Sequence, residues 1–517
     1  MTKFYVTTPV YYPNDVPHIG HAYTTIVADA LARWHKLKGD KVRFLTGTDE
    51  HGKKMENTAK EKGKKPKEFV DKLVPKFKEA WKKLNIEYDR FIRTTDKDHE
   101  KKVREILQKV YDKGDIYLGE YEGYYCTGCE AYYTEKGLEN GCCPIHKKKV
   151  DKLKEPSYFF KLSKYSDKLL KLYKENPKLI LPKFRRNEVI NRIKEGLQDL
   201  SISRTSFSWG IPLPFDEKHI AYVWFDALLN YVSGAGDFWP ADVHLIGKDI
   251  LWFHTVIWHS MLLSAGLKLP KTVFAHGWWT FDKEKISKSR GKVINVDELI
   301  SIAGVDSARY FLFRETPFGD DGDFSEKALI ARHNNELANK LGNLVSRVSS
   351  LVEKYDFEKK TRNQRLPERF RKALEKGNVE YEEIVSNIDS DEDGHVIRLL
   401  KIKQKEGSDG FLLSYPQVIG EVTQVFVKRY IETFQFDKAL NIIFAYIDVC
   451  NEFIQLRKPW EESKSSEYRK WVLGEAVRAI REISELLLPF IPESAEKIKK
   501  QFSAKKIKKG EILFKKI

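Results

Sequence analysis

Along the first 115 or so residues, short apolar runs of strand length alternate with stretches of helical period. Phe4 to Thr8 and Val42 to Thr46 read as strands, while Thr24 to Leu37 and Pro66 to Leu84 repeat apolar residues at helical spacing. This alternation predicts half of a parallel sheet with covering helices. Residues 116–209 break the pattern with a segment rich in Tyr, Lys and turn residues, and residues 210–280 return to it. A nucleotide-binding fold split by an insertion is therefore expected: residues 1–115 and 210–280 as its halves, 116–209 as the insertion. Residues 281–335 form a connecting segment, and 336–517 read as a helix bundle, with Val418, Val422, Val425, Phe426, Tyr430 and Phe434 as one apolar stripe. A polar, acidic stretch near 378–417 interrupts that pattern where a continuous bundle helix is expected; a surface hairpin and a disordered loop are both open for it.

Composition sets limits on this picture. The 517 residues are 41% hydrophobic and 13% aromatic, enough for roughly two to four domains with cores. Lys and Arg exceed Asp and Glu by 91 − 75 = 16, which suits a polyanionic partner. No run of apolar residues approaches the roughly 20 that span a bilayer, and Met1 to Phe4 lead into a strand. A cytoplasmic protein without a membrane partner is the expectation.

Three local patterns carry chemistry. His18, Gly20 and His21 follow a strand and a turn rich in Pro13, Asn14, Asp15 and Pro17, so they open a helix, where N–H groups and the helix dipole favour phosphate. Lys285, Ser287 and Lys288, with Gly291 close behind, put two ammonium groups and hydroxyls on a loop suited to fold over a polyphosphate. Cys126 and Cys129, followed by Cys143 and His146, form two knuckles with the spacing of a structural zinc site. Cys142 is an additional candidate ligand.

The two phosphate signatures, H-I-G-H at 18–21 and K-I-S-K-S at 285–289, resemble those of the class I aminoacyl-tRNA synthetases, with Ile286 where that family usually carries Met. Further segments are similar to the methionine-specific members of the family: Val6 to Tyr12, Thr46 to Gly52, Tyr222 to Ala227, Ile246 to Asp249 and Lys458 to Trp460. The resemblance implies a split Rossmann-like α/β catalytic domain with a zinc-knuckle insertion, followed by an all-α anticodon-binding bundle. It also implies ATP, Mg2+ and structural Zn2+ as cofactors, with L-methionine and tRNA(Met), including the initiator, as partners. Enzymes for leucine, isoleucine and valine usually carry a large editing insertion, for which the 285 − 21 = 264 residues between the signatures leave little room. A cysteinyl enzyme, or a tRNA-binding relative without catalysis, is the alternative.

A methionine pocket needs a carboxylate for the α-ammonium group and a polarizable apolar wall for the thioether. Asp49, at the end of a strand, is the candidate carboxylate; the resemblance points to Val10, Tyr12, Trp224, Tyr231 and His254 for the wall, with Trp224 and Tyr231 seven apart as on one helical face. Asn343 and Arg347, four apart on a predicted helix, and Trp460 correspond to positions that read the anticodon in the family. The expected reaction is attack of the methionine carboxylate on the α-phosphorus of ATP, with His18, His21, Lys285 and Lys288 neutralising phosphate charge, then transfer to the terminal adenosine of the tRNA. The chain closes in a basic tail, Lys505 to Lys509, without the appended oligonucleotide-binding domain through which some relatives dimerise. A monomer is expected.

Overall fold

A computed structural model describes the chain except residues 1, 127–130, 134–136, 145–146, 282–283, 286–293, 356, 358–378, 386–398, 405–409 and 414–415. It divides into two compact units, residues 1–279 with 286–296, and residues 280–285 with 297–517.

The first unit is built on six parallel strands: β1 (Lys3–Tyr11), β2 (Lys41–Thr48), β3 (Arg90–Arg93), β4 (Ile180–Leu181), β5 (Val243–Gly247) and β6 (Val273–His276). Their order across the sheet is β3-β2-β1-β5-β6-β4. Successive crossovers run outward to β3 on one side and resume on the other side of β1, where Val6 pairs with Val243. That reversal between β1 and β5 is the switch point at which doubly wound sheets open a crevice beyond the carboxyl ends of their strands.

Burial on both faces explains why β1 reads as a continuous run and not as an alternation: Phe4, Tyr5, Val6, Thr7 and Thr8 are all dry. The register of β1 against β2 shifts between Thr7 and Val10, the stretch that holds Pro9, which has no N–H for the ladder. Helix α1 (Ile19–Leu37) follows and is buried almost all round from Ile19 to Trp34, as the central helix of a layer must be. Its one buried acid, Asp29, accepts from Arg33 Nε at 2.9 Å and from the backbone N–H of Glu87 at 2.9 Å.

The insertion contributes its own antiparallel sheet, in which Ile116–Cys126 pairs along its length with Asp151–Phe160. It is tied down where it enters. The buried Asp115 carboxylate accepts from Tyr165 Oη at 2.6 Å, Ser264 Oγ at 2.7 Å and Lys164 Nζ at 2.5 Å. Burial alone would raise its pKa, but these donors hold it down at about 2.

The second unit is mainly helical, and two expectations are corrected there. Among its described residues the polar stretch near 378–417 is strand up to Leu413, not helix: Val379–Val385, Leu399–Gln404 and Gly410–Leu413 form a three-stranded antiparallel sheet, and a helix begins at Pro416. Its sequence alternates with period two, as in Leu400-Lys401-Ile402-Lys403, and the register sets Glu380 opposite Lys403 and Glu383 opposite Lys401. Phe436–Arg457 is also long and apolar enough, by length and composition, to cross a membrane. It serves instead as a core helix, with Leu440, Ile443, Tyr446, Ile447 and Ile454 buried in the bundle.

One glycine sets the geometry of the carboxyl edge. A Cβ on Gly47 of β2 would lie 1.9 Å from the Ile92 carbonyl oxygen of β3, so any side chain must force the two strands apart. Gly47→Ala is expected to destabilise the first unit by at least about 3 kcal/mol, read as a lower urea midpoint.

Candidate active site

The phosphate end of the crevice starts at the carboxyl end of β1. His18 is the N-cap of α1: its Nδ1 accepts from the Gly20 N–H at 3.1 Å, and its own N–H donates to His21 Nδ1 at 3.4 Å. The two rings stack with centroids 3.8 Å apart. The Ile19 N–H donates to the Ile294 carbonyl at 3.0 Å. The expectation that this helix start offers its N–H groups to phosphate is thereby corrected, since the first donors are already used inside the protein. Gly20 has a different task as well: a Cβ there would lie 3.0 Å from His18 Cε1, so the glycine makes room for the imidazole. With both Nδ1 atoms accepting, Nε2 is the ring nitrogen left to carry a proton, and an Nε2–H can donate to an oxyanion.

In the second signature the backbone of Lys285 pairs with Thr280. Its side chain, and all of Ser287 and Lys288, lie outside the described residues.

The candidate amino-acid end draws on the ends of β1 and β2 and on three short helical segments. Val10 is the penultimate residue of β1 and Tyr12 lies just beyond the strand, both packed on the main core. Asp49 immediately follows β2, is 4% exposed, and its N–H donates to the Tyr11 carbonyl at 2.9 Å. Trp224 and Tyr231 do not share one helix. They sit on two short ones, Val223–Ala227 and Asn230–Ser233, and what brings them together is His254. Its Nε2 lies 2.7 Å from Tyr231 Oη, and its ring meets the Trp224 indole edge-on at 5.9 Å. Phe253, next to it, stacks flat on Trp224 at 3.9 Å. Both residues lie on a π-helical turn, Phe253–Ile257, a rare form frequent at functional sites.

Burial keeps this wall neutral. It drives the His254 pKa down to about 4, only partly opposed by the Ile250 carbonyl 2.9 Å from Nδ1. That carbonyl fixes the proton on Nδ1, so Nε2 accepts the Tyr231 hydroxyl. Burial, reinforced by Tyr11 and Asp49, pushes the Tyr231 hydroxyl upward, so it remains a donor. A neutral aromatic and imidazole wall near the buried Asp49 carboxylate suits a zwitterion with an apolar, polarizable side chain.

Two further sites are partly visible. Cys126 and Cys143 are buried, and Cys143 begins a tight turn in which its N–H donates to the Lys148 carbonyl at 2.9 Å and its carbonyl accepts from Lys147 at 2.8 Å. Such a turn presents a thiol as a knuckle does. Cys142, half-buried, pairs instead with Glu139 and Lys149 through its backbone. Cys129 and His146 lie outside the described residues. In the bundle, the structure joins two of the three anticodon candidates. The Arg347 guanidinium lies over the Trp460 ring at 4.7 Å and donates to Gln455 Oε1 at 2.5 Å, while Asn343 is exposed one turn earlier on the same helix.

Comparison with known proteins decides the family. A profile described as "tRNA synthetases class I (M)" matches residues 4–154 and 136–349, and one for the "Anticodon-binding domain of tRNA ligase" matches residues 421–516. The chain is 45% identical, over 99% of its length and 79% of the relative's, to the methionine–tRNA ligase of Caldanaerobacter subterraneus subsp. tengcongensis. To that of Thermotoga maritima it is 41% identical, over 97% of the chain and 75% of the relative. The chain belongs to the methionyl-tRNA synthetases. Its fold is similar to that of the Mycobacterium tuberculosis methionyl-tRNA synthetase in complex with methionyl-adenylate, with a TM-score of 0.82 and 37% identity over 96% of this chain and 93% of that one. The split α/β fold with a helical anticodon-binding domain, and the family resemblance, are both borne out.

The sequence reading of this synthetase missed residues that hold the crevice together. Glu50, fully buried beside Asp49, takes a bidentate ion pair from Arg93 at 2.6 and 2.8 Å, and hydroxyl donors from Thr48 at 2.7 Å and Thr95 at 2.6 Å. His51 pairs through Nδ1 with Asp226 at 2.6 Å. At the end of β6, His276 lies 2.7 Å from Thr24 on α1, and its pKa is pushed down to about 4 by burial. Glu50, His51 and Asp226 stand within the very segments that resemble the family, so their neighbours were a usable signal. Phe253 and His276 had none beyond aromatic character.

The His51–Asp226 pair has a definite pH dependence. Burial alone would lower the His51 pKa, but the Asp226 carboxylate overrides it and raises it above 6.5; burial would raise that of Asp226, but His51 and His99 bring it to about 2. The raised imidazole contributes stability that is complete below about pH 6.5 and lost as pH climbs through its folded pKa; the carboxylate's share is lost only on acidifying toward pH 2. His51→Ala is therefore expected to cost about 3 kcal/mol near pH 5. The deficit should shrink above neutrality, as measured by urea unfolding across pH.

Proposed function

We propose that the crevice beyond β1, β2 and β5 is the site of methionyl-adenylate formation, with His18, His21, Lys285, Ser287 and Lys288 on the phosphates and Asp49 on the methionine ammonium group. The reaction is that of a methionine–tRNA ligase: the methionine carboxylate displaces pyrophosphate from ATP, and the methionyl group then passes to the 3′-terminal adenosine of tRNA(Met). The observation that carries the site assignment is the convergence of Tyr231, His254 and Trp224 into one neutral wall near a buried carboxylate. Attack at phosphorus asks for orientation and charge neutralisation and needs no protein nucleophile. The Nε2 protons of His18 and His21 suit the charge that grows on the phosphate oxygens, and Mg2+ arrives with ATP as part of the substrate.

Val10 and Tyr12 complete the wall. Zinc, held by Cys126, Cys129, Cys143 and His146, is structural in this reading: two buried thiols, one of them heading a knuckle turn, suit a tetrahedral ion that staples a polar insertion. In the bundle, Arg347 and Trp460 present a cation stacked on an indole, a platform for an unstacked anticodon base, with Asn343 available to hydrogen-bond its edge. The initiator and elongator tRNA(Met), which share the CAU anticodon, would both be substrates, and the enzyme would act in the cytoplasm.

Pyrophosphate exchange assayed with each of the twenty amino acids should respond to methionine alone; stimulation by cysteine and none by methionine would overturn the assignment. In the same assay Lys288→Ala should slow methionine-dependent exchange by about 10²-fold or more with the fold intact. Arg347→Ala, by contrast, should leave exchange unchanged and lower kcat/KM for tRNA about ten- to a hundredfold. An equal loss in both assays would remove Arg347 from anticodon reading.

A further inference from the structure

Behind the methionine wall lies a polar chain that the adenylation chemistry does not use. The Asp226 carboxylate is about 1% exposed and splits its two oxygens between two imidazoles: Oδ2 accepts from His51 Nδ1 at 2.6 Å, and Oδ1 from His99 Nε2 at 2.7 Å. His99 comes from the helix Lys97–Asp112 and is fully buried, and its Nδ1 lies 2.8 Å from Ser233 Oγ. Ser233 Oγ in turn donates to the Asn230 carbonyl at 3.3 Å.

The positions of these residues in the chain are telling. Asp226 is two residues after Trp224 on the same short helix. Ser233 is two residues after Tyr231 on the next, and His51 is two residues after Asp49. One dry carboxylate thus has a hydrogen-bonded hold on three of the segments that carry the pocket, those of Asp49, Trp224 and Tyr231. The short helices have little rigidity of their own, being five and four residues long, far below the length at which a helix is stable alone. Their separation and orientation need an external tie. A buried carboxylate partnered on both oxygens supplies such a tie, because pulling either imidazole away would leave a buried charge short of a partner.

We propose that Asp226, through His51 on one side and His99 and Ser233 on the other, is the positioning residue that sets the spacing between the Asp49 carboxylate and the Trp224–Tyr231 wall, and hence the selectivity for methionine. The inference rests on the pocket reading above. None of the four relay residues needs to touch the substrate; they act through residues that do. Loosening the relay should change how methionine is held and leave the phosphate end alone, since His18 and His21 are fixed by their own cap.

The test is steady-state pyrophosphate exchange on the full chain, with methionine and ATP varied separately. Asp226→Asn keeps the shape and removes the charge, and Ser233→Ala trims only the far end of the relay. Both should raise the methionine KM about tenfold, the scale expected for a small misplacement of a binding group, with the ATP KM unchanged. Ser233→Thr, which restores the hydroxyl, should recover most of the loss. A proportional rise in both KM values, or a fall in kcat with neither KM moved, would mean that the relay is scaffolding only and would overturn the proposal. Should Asp226→Asn not fold, Ser233→Ala decides the matter alone. Asp49→Asn separates the two readings. An unchanged methionine KM there overturns the pocket assignment itself, whereas an impaired Asp49→Asn beside a folded Ser233→Ala with wild-type KM values overturns only the relay.

Discussion

A charge kept from water must be paired, and at the carboxyl edge of the parallel sheet this requirement organises everything else. Glu50 is fully buried directly after β2 and is satisfied by the Arg93 fork and two threonine hydroxyls. Asp226 is equally dry and is satisfied by two imidazoles. Removing one partner from such a group typically costs about 3–5 kcal/mol, so the loop between Gly47 and Gly52 has few alternative arrangements. Asp49, flanked by Glu50 and His51, has its position imposed by neighbours that do no chemistry. The same loop is pinned from outside by Trp209, whose indole donates to the Glu50 carbonyl at 2.5 Å.

The opposite electrostatic choice governs the pocket wall. His244, His254 and His259 are all buried and all pushed toward the neutral form, first by burial and then, for His244, by His254 and His259, and for His259, by His254. Neutral imidazoles can be polar without being charged, so they fix hydroxyls in place without competing with Asp49 for the ammonium group. Thr7 binds His244 at 2.7 Å, Tyr231 binds His254, and Tyr173 binds His259 at 2.9 Å. Tyr173 comes from the helix Ser166–Glu175 of the insertion, and its hydroxyl also donates to the Thr255 carbonyl inside the π-helical turn at 3.0 Å. The turn that brings Phe253 and His254 to the same indole is therefore held by a side chain from outside the parallel sheet.

In the helical unit, ends of helices are satisfied from a distance. Arg309, fully buried on the helix Val305–Arg314, donates to the carbonyls of Phe490 and Pro489 at 2.9 and 3.0 Å, just past the end of the helix Ser466–Leu487. Three residues earlier, the Asp306 carboxylate accepts from the Ser494 N–H at 2.6 Å, at the start of Pro492–Ser503. A cation at a helix C-terminus and an anion at a helix N-terminus are each favourable. Together they lock the turn between the last two helices to a third.

Much of this could be read from the order of residues. The period of the apolar positions is a local property, so the alternation of strand and helix, the split α/β fold and the bundle were legible, as was the family resemblance carried by the two signatures. The place of Asp49 just after a strand was legible too, because Val42 to Thr46 reads as a strand on sequence alone. Other features depend on contacts between residues far apart in sequence. That His18 and His21 occupy each other's cap, that Trp224 and Tyr231 meet through His254 and not through a common helix, and that His99 reaches Asp226 across 127 positions were settled only when the chain folded. Sequence fixes which groups are present and their local period. Burial and pairing, which decide which of them are charged, neutral or held still, come into being with the tertiary structure, because the exclusion of water that gives them their energies is a property of the assembled core.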